Sequence, residues 1–194
     1  MTSQYEDLNH ILVDGEEVLL ELKPNRSRFI YIGQILPSLL GILFGAIFFT
    51  VGLLGVLGIL SPEDPDARFG FIVFLVFGAV PLLTPIINFF TRFTRYKNVC
   101  YVVTNQRLII RSGFIGIDYK ELNIKAITTT DVRVDFFDKL VHPNTGTIFF
   151  GSASNPVVVN SNNSNARQFS YKFEYIENPY DNYKRIKDII AQNQ

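Results

Sequence analysis

The residues of this chain that could do chemistry are few, and their spacing does not bring them together. Asp131 and Asp135 lie on one face of a predicted strand, and two carboxylates placed in this way could bind a cation. Arg133 lies between them on the same face, so the pattern favours an exposed, ion-paired surface. His10 and His142 are distant in sequence, and with a single cysteine no metal-ligand spacing is present.

The cysteine, Cys100, lies in the apolar stretch 98–104 and is predicted to be a buried, unreactive thiol. One cysteine cannot form an internal disulfide, which fits a reducing cytosol. The sequence has no glycine-rich phosphate loop, no nucleophile elbow and no HExxH helix. We therefore expect a protein that is not an enzyme and that uses no cofactor or metal ion.

The distribution of charge argues against a nucleic-acid partner. Residues 1–28 carry three basic side chains against six acidic ones, and residues 96–194 carry twelve against nine. So small a basic excess over the last half of the chain is far below that of a nucleic-acid-binding face. Between these flanks, residues 29–95 carry only three charges of each sign. The sequence is thus two polar flanks around an almost uncharged middle.

The middle contains two long apolar runs. No charged residue occurs from Phe29 to Ser61 or from Phe69 to Thr91. About 20 apolar residues cross the hydrocarbon core of a bilayer, so each run is long enough. The acidic, proline-containing stretch 61–68 between them is predicted to be a short loop. We predict two transmembrane helices, at about 30–60 and 69–91.

Basic residues beside the two predicted spans set their orientation. Arg26 and Arg28 precede the first span, and the loop between the spans has only Arg68. Three basic residues follow the second span: Arg92, Arg95 and Lys97. Short segments rich in Lys and Arg stay in the cytosol, so we predict that both termini are cytosolic and that the loop is external. We also predict that the three residues after the second span contact lipid headgroups.

Four glycines of the first span are predicted to share one helix face: Gly41, Gly45, Gly52 and Gly55. Small residues let helix backbones approach closely in lipid, so we predict that this face packs against a second helix. The second span and another protein chain remain alternatives for that helix. Neither span contains Asp, Glu, Lys, Arg or His, so the pattern does not favour an ion or proton pathway.

Short strand patterns separated by turn signals follow the second span. Candidate strands are at 98–104, 107–111, 117–122, 126–134, 147–152 and 157–160, and the stretch 169–175 alternates aromatic with polar residues. Asn178 and Pro179 then predict a helix start, and an apolar stripe follows at Tyr183, Ile186 and Ile190. We predict six or seven antiparallel strands that form a small β barrel, capped by a C-terminal α-helix.

This order of elements resembles the membrane-anchored bacterial pleckstrin-homology (PH) domain family. The stretch "YVVTNQRLIIRSGFIG" is similar to the opening hairpin of the family, with its tyrosine–x–x–threonine–x–x–arginine pattern at Tyr101, Thr104 and Arg107. "IDYKELNIKAIT", "GTIFFGS" and "NPYDNYKRI" resemble later elements, and "DGEEVLLELKP" before paired spans is also similar. The resemblance implies an α+β membrane protein: an N-terminal transmembrane helical hairpin followed by a PH-like β barrel. One departure is the polar stretch 155–167, which looks like a lengthened loop.

Three segments are predicted on this basis. Residues 1–28 form a cytosolic N-terminal segment, 29–95 the two membrane helices with their external loop, and 96–194 the cytosolic PH-like domain. The linker of about seven residues after the second span reaches at most about 25 Å, which holds the domain close to the membrane. We expect an integral protein of the bacterial cytoplasmic membrane.

The favoured function is a membrane-anchored interaction module that docks or scaffolds a protein partner, or forms a homo-oligomer. A lipid-headgroup sensor is the alternative that the family name implies. Phosphoinositide-binding PH domains place several basic residues around the first hairpin turn, and here only Arg107 and Arg111 lie nearby. A domain already tethered to the membrane also gains nothing from recruitment by lipid. An accessory subunit of a membrane transport or assembly complex is a third possibility.

Overall fold

The computed structural model describes residues 6–60, 65–136, 139, 144–152 and 171–193. The chain divides into two compact units. The helical unit is residues 30–93, and the sheet unit combines residues 1–29 with residues 94–194. The predicted strand at 157–160, His142 and residues 61–64 of the predicted external loop lie outside the described residues.

The helical unit is built from two long helices. Helix α2 spans Gly33–Val56 and helix α3 spans Pro65–Asn98. A π-helical turn at Arg28–Ile32 leads into α2, and a single helical turn, α1 (Glu6–Asn9), lies earlier in the chain. Both α2 and α3 are long and apolar enough to cross a membrane, by length and composition. Helix α3 continues through Pro81 and Pro85.

The residues that the sequence suggested as a linker are the last two turns of α3. This helix ends at Asn98, and the next strand begins at Cys100. Seven residues rise about 10 Å along a helix, against about 25 Å when extended. The connection after the apolar run is therefore short and regular.

A four-stranded antiparallel sheet begins the sheet unit, in the order β1–β2–β3–β4. Its strands are β1 (Val18–Leu22), β2 (Cys100–Thr104), β3 (Arg107–Ser112) and β4 (Asp118–Asn123). The sequence analysis treated residues 1–28 as a separate segment and did not predict β1. Leu22 lies opposite Tyr101, so α2 and α3 occupy the connection between two neighbouring strands.

A three-stranded antiparallel sheet, in the order β5–β6–β7, completes the strands. They are β5 (Ile127–Arg133), β6 (Thr145–Ser152) and β7 (Tyr171–Glu177). A 3-10 turn at Ile124–Ala126 separates β4 from β5, and the side chain of Asn123 accepts a hydrogen bond from the backbone of Lys125 at its start. Helix α4 (Pro179–Asn193) follows β7.

The predicted β barrel is confirmed in part: the described strands form two antiparallel sheets, of four and three strands, that do not close. The 3-10 turn lies between β4 and β5, which belong to different sheets and are not paired with each other. On the opposite side, an isolated bridge between Pro24 and Ile176 links the N-terminal segment to β7. Beside this bridge, the backbone N–H of Asn25 donates to the carbonyl oxygen of Tyr175 at 2.7 Å.

The main core lies between the two sheets and α4. The ring of Tyr101 stacks on that of Phe173 with centroids 4.8 Å apart, and Phe150 packs edge-on against Phe173 at the same distance. Ile186 and Ile190 of α4 are buried in the same cluster. The predicted stripe of the C-terminal helix therefore faces the core, as expected for an amphipathic helix.

The opposite face of the first sheet is also covered. Leu8 and Val18 pack with Cys100, Val102 and Ile109 in a second buried cluster. Neighbouring strand residues point to opposite faces, so β2 is buried on both sides. The N-terminal segment supplies this second layer, and residues 6–16 are hereafter called the N-terminal cover.

Candidate functional site

The first hairpin, β2–β3, carries a buried ion pair with the N-terminal cover. Arg107 donates from Nε to Glu16 Oε1 at 2.9 Å and from Nη2 to Glu16 Oε2 at 2.8 Å. Two parallel hydrogen bonds to one carboxylate are the strong, bidentate form of this pairing. The side chain of Glu16 is 0% exposed, so the carboxylate depends on its protein partners.

Thr104 joins the same network and explains the threonine–x–x–arginine spacing. Its hydroxyl accepts a hydrogen bond from the backbone N–H of Arg107 at 2.9 Å, which closes the two-residue turn. The hydroxyl donates to Glu16 Oε1 at 2.7 Å, and the backbone N–H of Val13 donates to Oε2 at 3.0 Å. Each carboxylate oxygen of Glu16 thereby accepts two hydrogen bonds.

These contacts set the protonation of Glu16. Burial raises the pKa of the carboxyl group, but the hydrogen bonds from Arg107, Val13 and Thr104 outweigh burial and hold the pKa below its usual value. The guanidinium of Arg107 also contacts Glu121 at 2.5 Å and the carbonyl oxygen of Ile11 at 2.8 Å. Its charge is therefore balanced by two carboxylates.

A second network lies further along the hairpin. Arg111 donates from Nε to Asp7 Oδ2 at 2.8 Å and from Nη1 to the carbonyl oxygen of Asn98 at 2.8 Å. The hydroxyl of Tyr119 donates to the same oxygen of Asp7. Burial raises the pKa of the Asp7 carboxyl, but the hydrogen bonds from Tyr119 and Arg111 outweigh it and leave the pKa lowered.

Sequence reasoning missed Asp7 and Glu16 as partners of the hairpin arginines. The available signal was the excess of acidic over basic residues in 1–28, together with "DGEE" directly before β1. That signal indicated an acidic segment but did not indicate which basic side chains the segment contacts. Glu16 and Arg107 are 91 positions apart, with both long helices between them.

The three basic residues predicted to contact headgroups lie in the last two turns of α3. Arg95 and Lys97 are exposed, and Arg92 is half-buried. Cations near the C-terminus of a helix also interact favourably with the helix dipole, which is a purely structural role. Contact of Arg92, Arg95 and Lys97 with lipid stays a prediction.

The predicted glycine face of α2 lies against α3. A Cβ atom added at Gly45 would come within 2.9 Å of the carbonyl oxygen of Gly78. One at Gly52 would collide with the backbone of Leu75, and one at Gly55 with the ring of Phe71. Gly41 is less tight, since its nearest contact would be the carbonyl oxygen of Pro81 at 3.8 Å.

Gly78 completes this crossing and was not singled out from the sequence. A Cβ atom there would collide with the backbone nitrogen of Phe49 and lie 2.8 Å from the carbonyl oxygen of Gly45. The signal was weak, because a lone glycine among bulky apolar residues is common in apolar helices. Whether these glycines hold two helices together in a membrane stays a prediction.

Exposed apolar side chains mark two parts of the sheet unit. Phe136 is 71% exposed and Tyr180 is 59% exposed, so neither side chain is part of the core. Tyr180 lies about a quarter turn from the buried stripe of α4. The second part is the β3–β4 turn, where Phe114, Ile115 and Ile117 are all exposed.

The reactive side chains offer little chemistry. Burial raises the pKa of the Cys100 thiol to about 12, and neighbouring Glu21, which accepts its hydrogen bond, acts in the same direction. The thiol is thus buried, as predicted, and protonated at neutral pH. The predicted ion pair of Arg133 with Asp135 is present at 2.9 Å, and both side chains are exposed. Among the described residues, no group of three or more His, Cys, Asp or Glu could hold a metal ion.

Comparison with protein families finds one match: a family model described as Bacterial PH domain covers residues 33–177. The match runs from the start of α2 to the end of β7. Comparison with curated proteins and with solved structures finds no match. The matched range includes Thr104, Arg107 and Arg111, whereas β1 and the N-terminal cover lie before it.

Proposed function

The chain belongs to the bacterial PH domain family, and from this premise we propose that it is a non-enzymatic interaction module that α2 and α3 anchor in the membrane. In this proposal the sheet unit docks or scaffolds a protein partner at the cytosolic membrane face. The family itself indicates a module that interacts with proteins or lipids.

The choice of a protein partner rests on one observation: both hairpin arginines, Arg107 and Arg111, already bind carboxylates. A phosphate group is bound by basic side chains whose N–H donors can turn to it. Here Arg107 already binds Glu16 and Glu121, and Arg111 binds Asp7. A phosphate would have to displace these carboxylates or approach beside them, against like-charge repulsion. The hairpin is therefore poorly suited to an anionic headgroup.

The membrane anchor is supported by the outer surface of the helical unit. Its exposed side chains include Leu43, Phe44, Phe77, Ile87 and Phe90. Soluble monomers rarely expose continuous apolar surface on this scale, whereas lipid tails solvate it. The orientation, with both termini and the sheet unit in the cytosol, rests on the basic residues beside the spans.

The lipid-headgroup alternative draws support from Arg95 and Lys97, which are exposed at the end of α3. A basic residue near an anionic surface gains about 1 kcal/mol whatever the headgroup. Such contacts would orient the module without reading lipid identity. The role of accessory subunit in a transport or assembly complex is a narrower form of the protein-docking proposal.

Photo-crosslinking in native membranes would separate these alternatives. A benzophenone amino acid would replace Tyr180 or Phe136 in the full chain, because both side chains are exposed and face away from the core. Light should produce a discrete, protein-sized adduct from at least one of them. The matched control is Phe77, exposed on α3, which should give no discrete protein adduct when lipid surrounds it. The proposal fails if neither position yields a protein adduct and the protein in nanodiscs of neutral lipid captures added vesicles only when these contain one particular headgroup.

A further inference from the structure

The β3–β4 turn of the sheet unit carries three exposed apolar side chains within four residues. The apolar tip is residues 113–117, "GFIGI", which carry no charge. The side chain of Ile115 is 92% exposed, and Phe114 and Ile117 on either side of it are also exposed. Single exposed apolar residues are common on protein surfaces, whereas three at one turn indicate a site that contacts another protein or a membrane.

The shape of the tip is fixed by one glycine. Gly113 has φ of 152°, and a Cβ atom there would collide with the carbonyl oxygen of Gly116. A side chain at 113 would therefore open the turn. Because the turn is closed by its own backbone, the apolar side chains between the two glycines are held outward.

Strand register places the apolar tip beside the end of α3. Cys100 lies opposite Arg111 in the antiparallel pair β2–β3, so β3 runs back towards the point where the chain leaves the helix. The side chain of Asn98, the last residue of α3, donates a hydrogen bond to the carbonyl oxygen of Gly113 at 3.4 Å. Arg111 donates to the carbonyl oxygen of Asn98 at 2.8 Å. Two contacts thus tie the base of the tip to the last turn of this helix.

The surroundings match the edge of a bilayer. The last turn of α3 carries Arg95 and Lys97, both exposed. The charge-free apolar run of this helix ends at Thr91, seven residues before Asn98, which is about 10 Å along a helix. Apolar side chains together with exposed cations near the end of an apolar helix are typical of segments that lie in the headgroup and acyl boundary.

We propose that the apolar tip inserts Phe114, Ile115 and Ile117 into the cytosolic headgroup boundary of the membrane that α2 and α3 span. The insertion rests on the proposed membrane anchoring. It would give the sheet unit a second attachment, so that the direction in which it faces its partner is fixed. Lipid is the occupant because the contacts through Asn98 hold the tip at the last turn of α3, about 10 Å along the helix from the end of a predicted span.

Tryptophan fluorescence can test the insertion directly, since the chain contains no tryptophan. The full-length Ile115→Trp variant would be reconstituted in vesicles of phosphatidylethanolamine and phosphatidylglycerol. Two controls accompany it: Phe77→Trp on α3, where the side chain is 70% exposed, and Tyr180→Trp on α4. All three positions are exposed, so the substitutions do not disturb a core. Nitroxide-labelled lipids quench from either the headgroup or the acyl-chain end, and iodide quenches from water.

The insertion predicts a distinct pattern for each variant. Ile115→Trp should emit at shorter wavelength than Tyr180→Trp and be quenched more by the headgroup nitroxide than by the acyl-end nitroxide. Phe77→Trp should show the reverse lipid preference, and Tyr180→Trp should be quenched by iodide.

Three results would overturn the insertion in distinguishable ways. If Ile115→Trp behaves like Tyr180→Trp while Phe77→Trp is quenched by lipid, the anchor stands and the tip lies in water. If its emission shifts to shorter wavelength without lipid quenching, a protein surface covers the tip. If Phe77→Trp is not quenched by lipid either, the membrane anchoring fails and the insertion fails with it.

Discussion

The two units of this chain place their apolar side chains in opposite ways. In the sheet unit, buried positions are occupied by residues such as Leu108, Ile148 and Phe173. In the helical unit, the bulky apolar residues are on the outside. Among its residues whose burial is described, all the buried ones except Ile30 are glycines: Gly45, Gly52, Gly55 and Gly78.

If α2 and α3 span a membrane, as proposed, the two units rely on different forces. Removing apolar surface from water stabilises a fold by about 25 cal/mol per Å², and the buried clusters of the sheet unit can use this term. Lipid tails are as apolar as leucine, so the term vanishes between helices in a membrane. There, close approach of two backbones gains van der Waals contact, and glycine permits the closest approach. Glycine in the helical unit therefore has the packing role that Val, Ile and Phe have in the sheet unit.

Charge follows the same division. The sheet unit contains the buried pair of Glu16 and Arg107, whereas the two apolar runs of the helical unit contain no Asp, Glu, Lys, Arg or His. A buried ion pair is costly to break from one side, because the remaining charge is left without a partner. The sheet unit should consequently be sensitive to charge substitutions and to pH, and the helical unit to added methyl groups.

The largest effect is expected from Arg107→Ala, which leaves the buried carboxylate of Glu16 without its main partner. We expect the sheet unit to lose about 3–5 kcal/mol of its free energy of unfolding. The matched control is Arg133→Ala, whose pair with Asp135 is exposed and whose loss should cost at most about 1 kcal/mol. Urea unfolding of the full chain in nanodiscs, followed by near-UV circular dichroism, would measure both. Equal losses in the two variants would contradict a buried, dependent Glu16.

The next effect concerns the close crossing of the helices. Gly78→Ala places a methyl group against the backbone of Phe49, and overpacking of this kind costs about 1–3 kcal/mol. Gly70→Ala is the matched control on the same helix, since a Cβ atom there has no neighbour within 4 Å. Both substitutions raise helix propensity equally, so the difference between them isolates the contact.

Spin labels at Thr50 and Thr84 would report this crossing as an interhelical distance in nanodiscs. Gly78→Ala should lengthen or broaden the distance distribution, and Gly70→Ala should leave it unchanged. The near-UV signal of the sheet unit should stay the same in both. If Gly78→Ala leaves the distance unchanged, the buried glycines only tolerate the crossing and do not determine it.

A smaller effect is expected from acid, and its sign follows from Glu16. The pKa of Glu16 is lowered in the folded protein from its ordinary value of 4.5, so its stabilising contribution is complete above that value. The contribution is lost as the pH falls through the folded pKa, at about 1.4 kcal/mol per unit of lowering. The sheet unit should therefore weaken below about pH 4.5, with a shallower slope in Glu16→Gln. The far-UV helical signal of the apolar runs should not change over the same range. A parallel loss of that signal would contradict the expectation that only the sheet unit is sensitive to pH.

The features that sequence predicted are those encoded locally. The alternation around Phe173 and the stripe of Ile186 and Ile190 have the periods of a strand and a helix, and the structure places all three side chains in the core. The family resemblance of the opening hairpin is likewise confirmed by the family match.

The features that sequence did not predict depend on which distant segments meet. The strand β1 pairs across the whole helical unit, and nothing local marks Val18–Leu22 as the neighbour of β2. The buried partner of Arg107 could have been any of several acids, and the crossing at Gly78 depends on the register between two helices. Pairing over such separations is decided by packing of the complete fold, which a local pattern does not contain.

The smallest effect is expected at Cys100, which should not react with a maleimide. Cysteines introduced elsewhere can therefore report the topology while Cys100 is kept. A maleimide reacts with the thiolate, and the thiol of Cys100 is buried with its pKa raised to about 12. The unaltered protein should therefore give no signal with an impermeant maleimide in intact cells. Asp64→Cys, between the two spans, should label from outside, whereas Gln192→Cys, at the exposed end of α4, should label only after the cells are opened. Labelling of Gln192→Cys but not of Asp64→Cys in intact cells would reverse the orientation. It would then place the sheet unit, with its buried charges and any docked partner, on the outer side of the membrane.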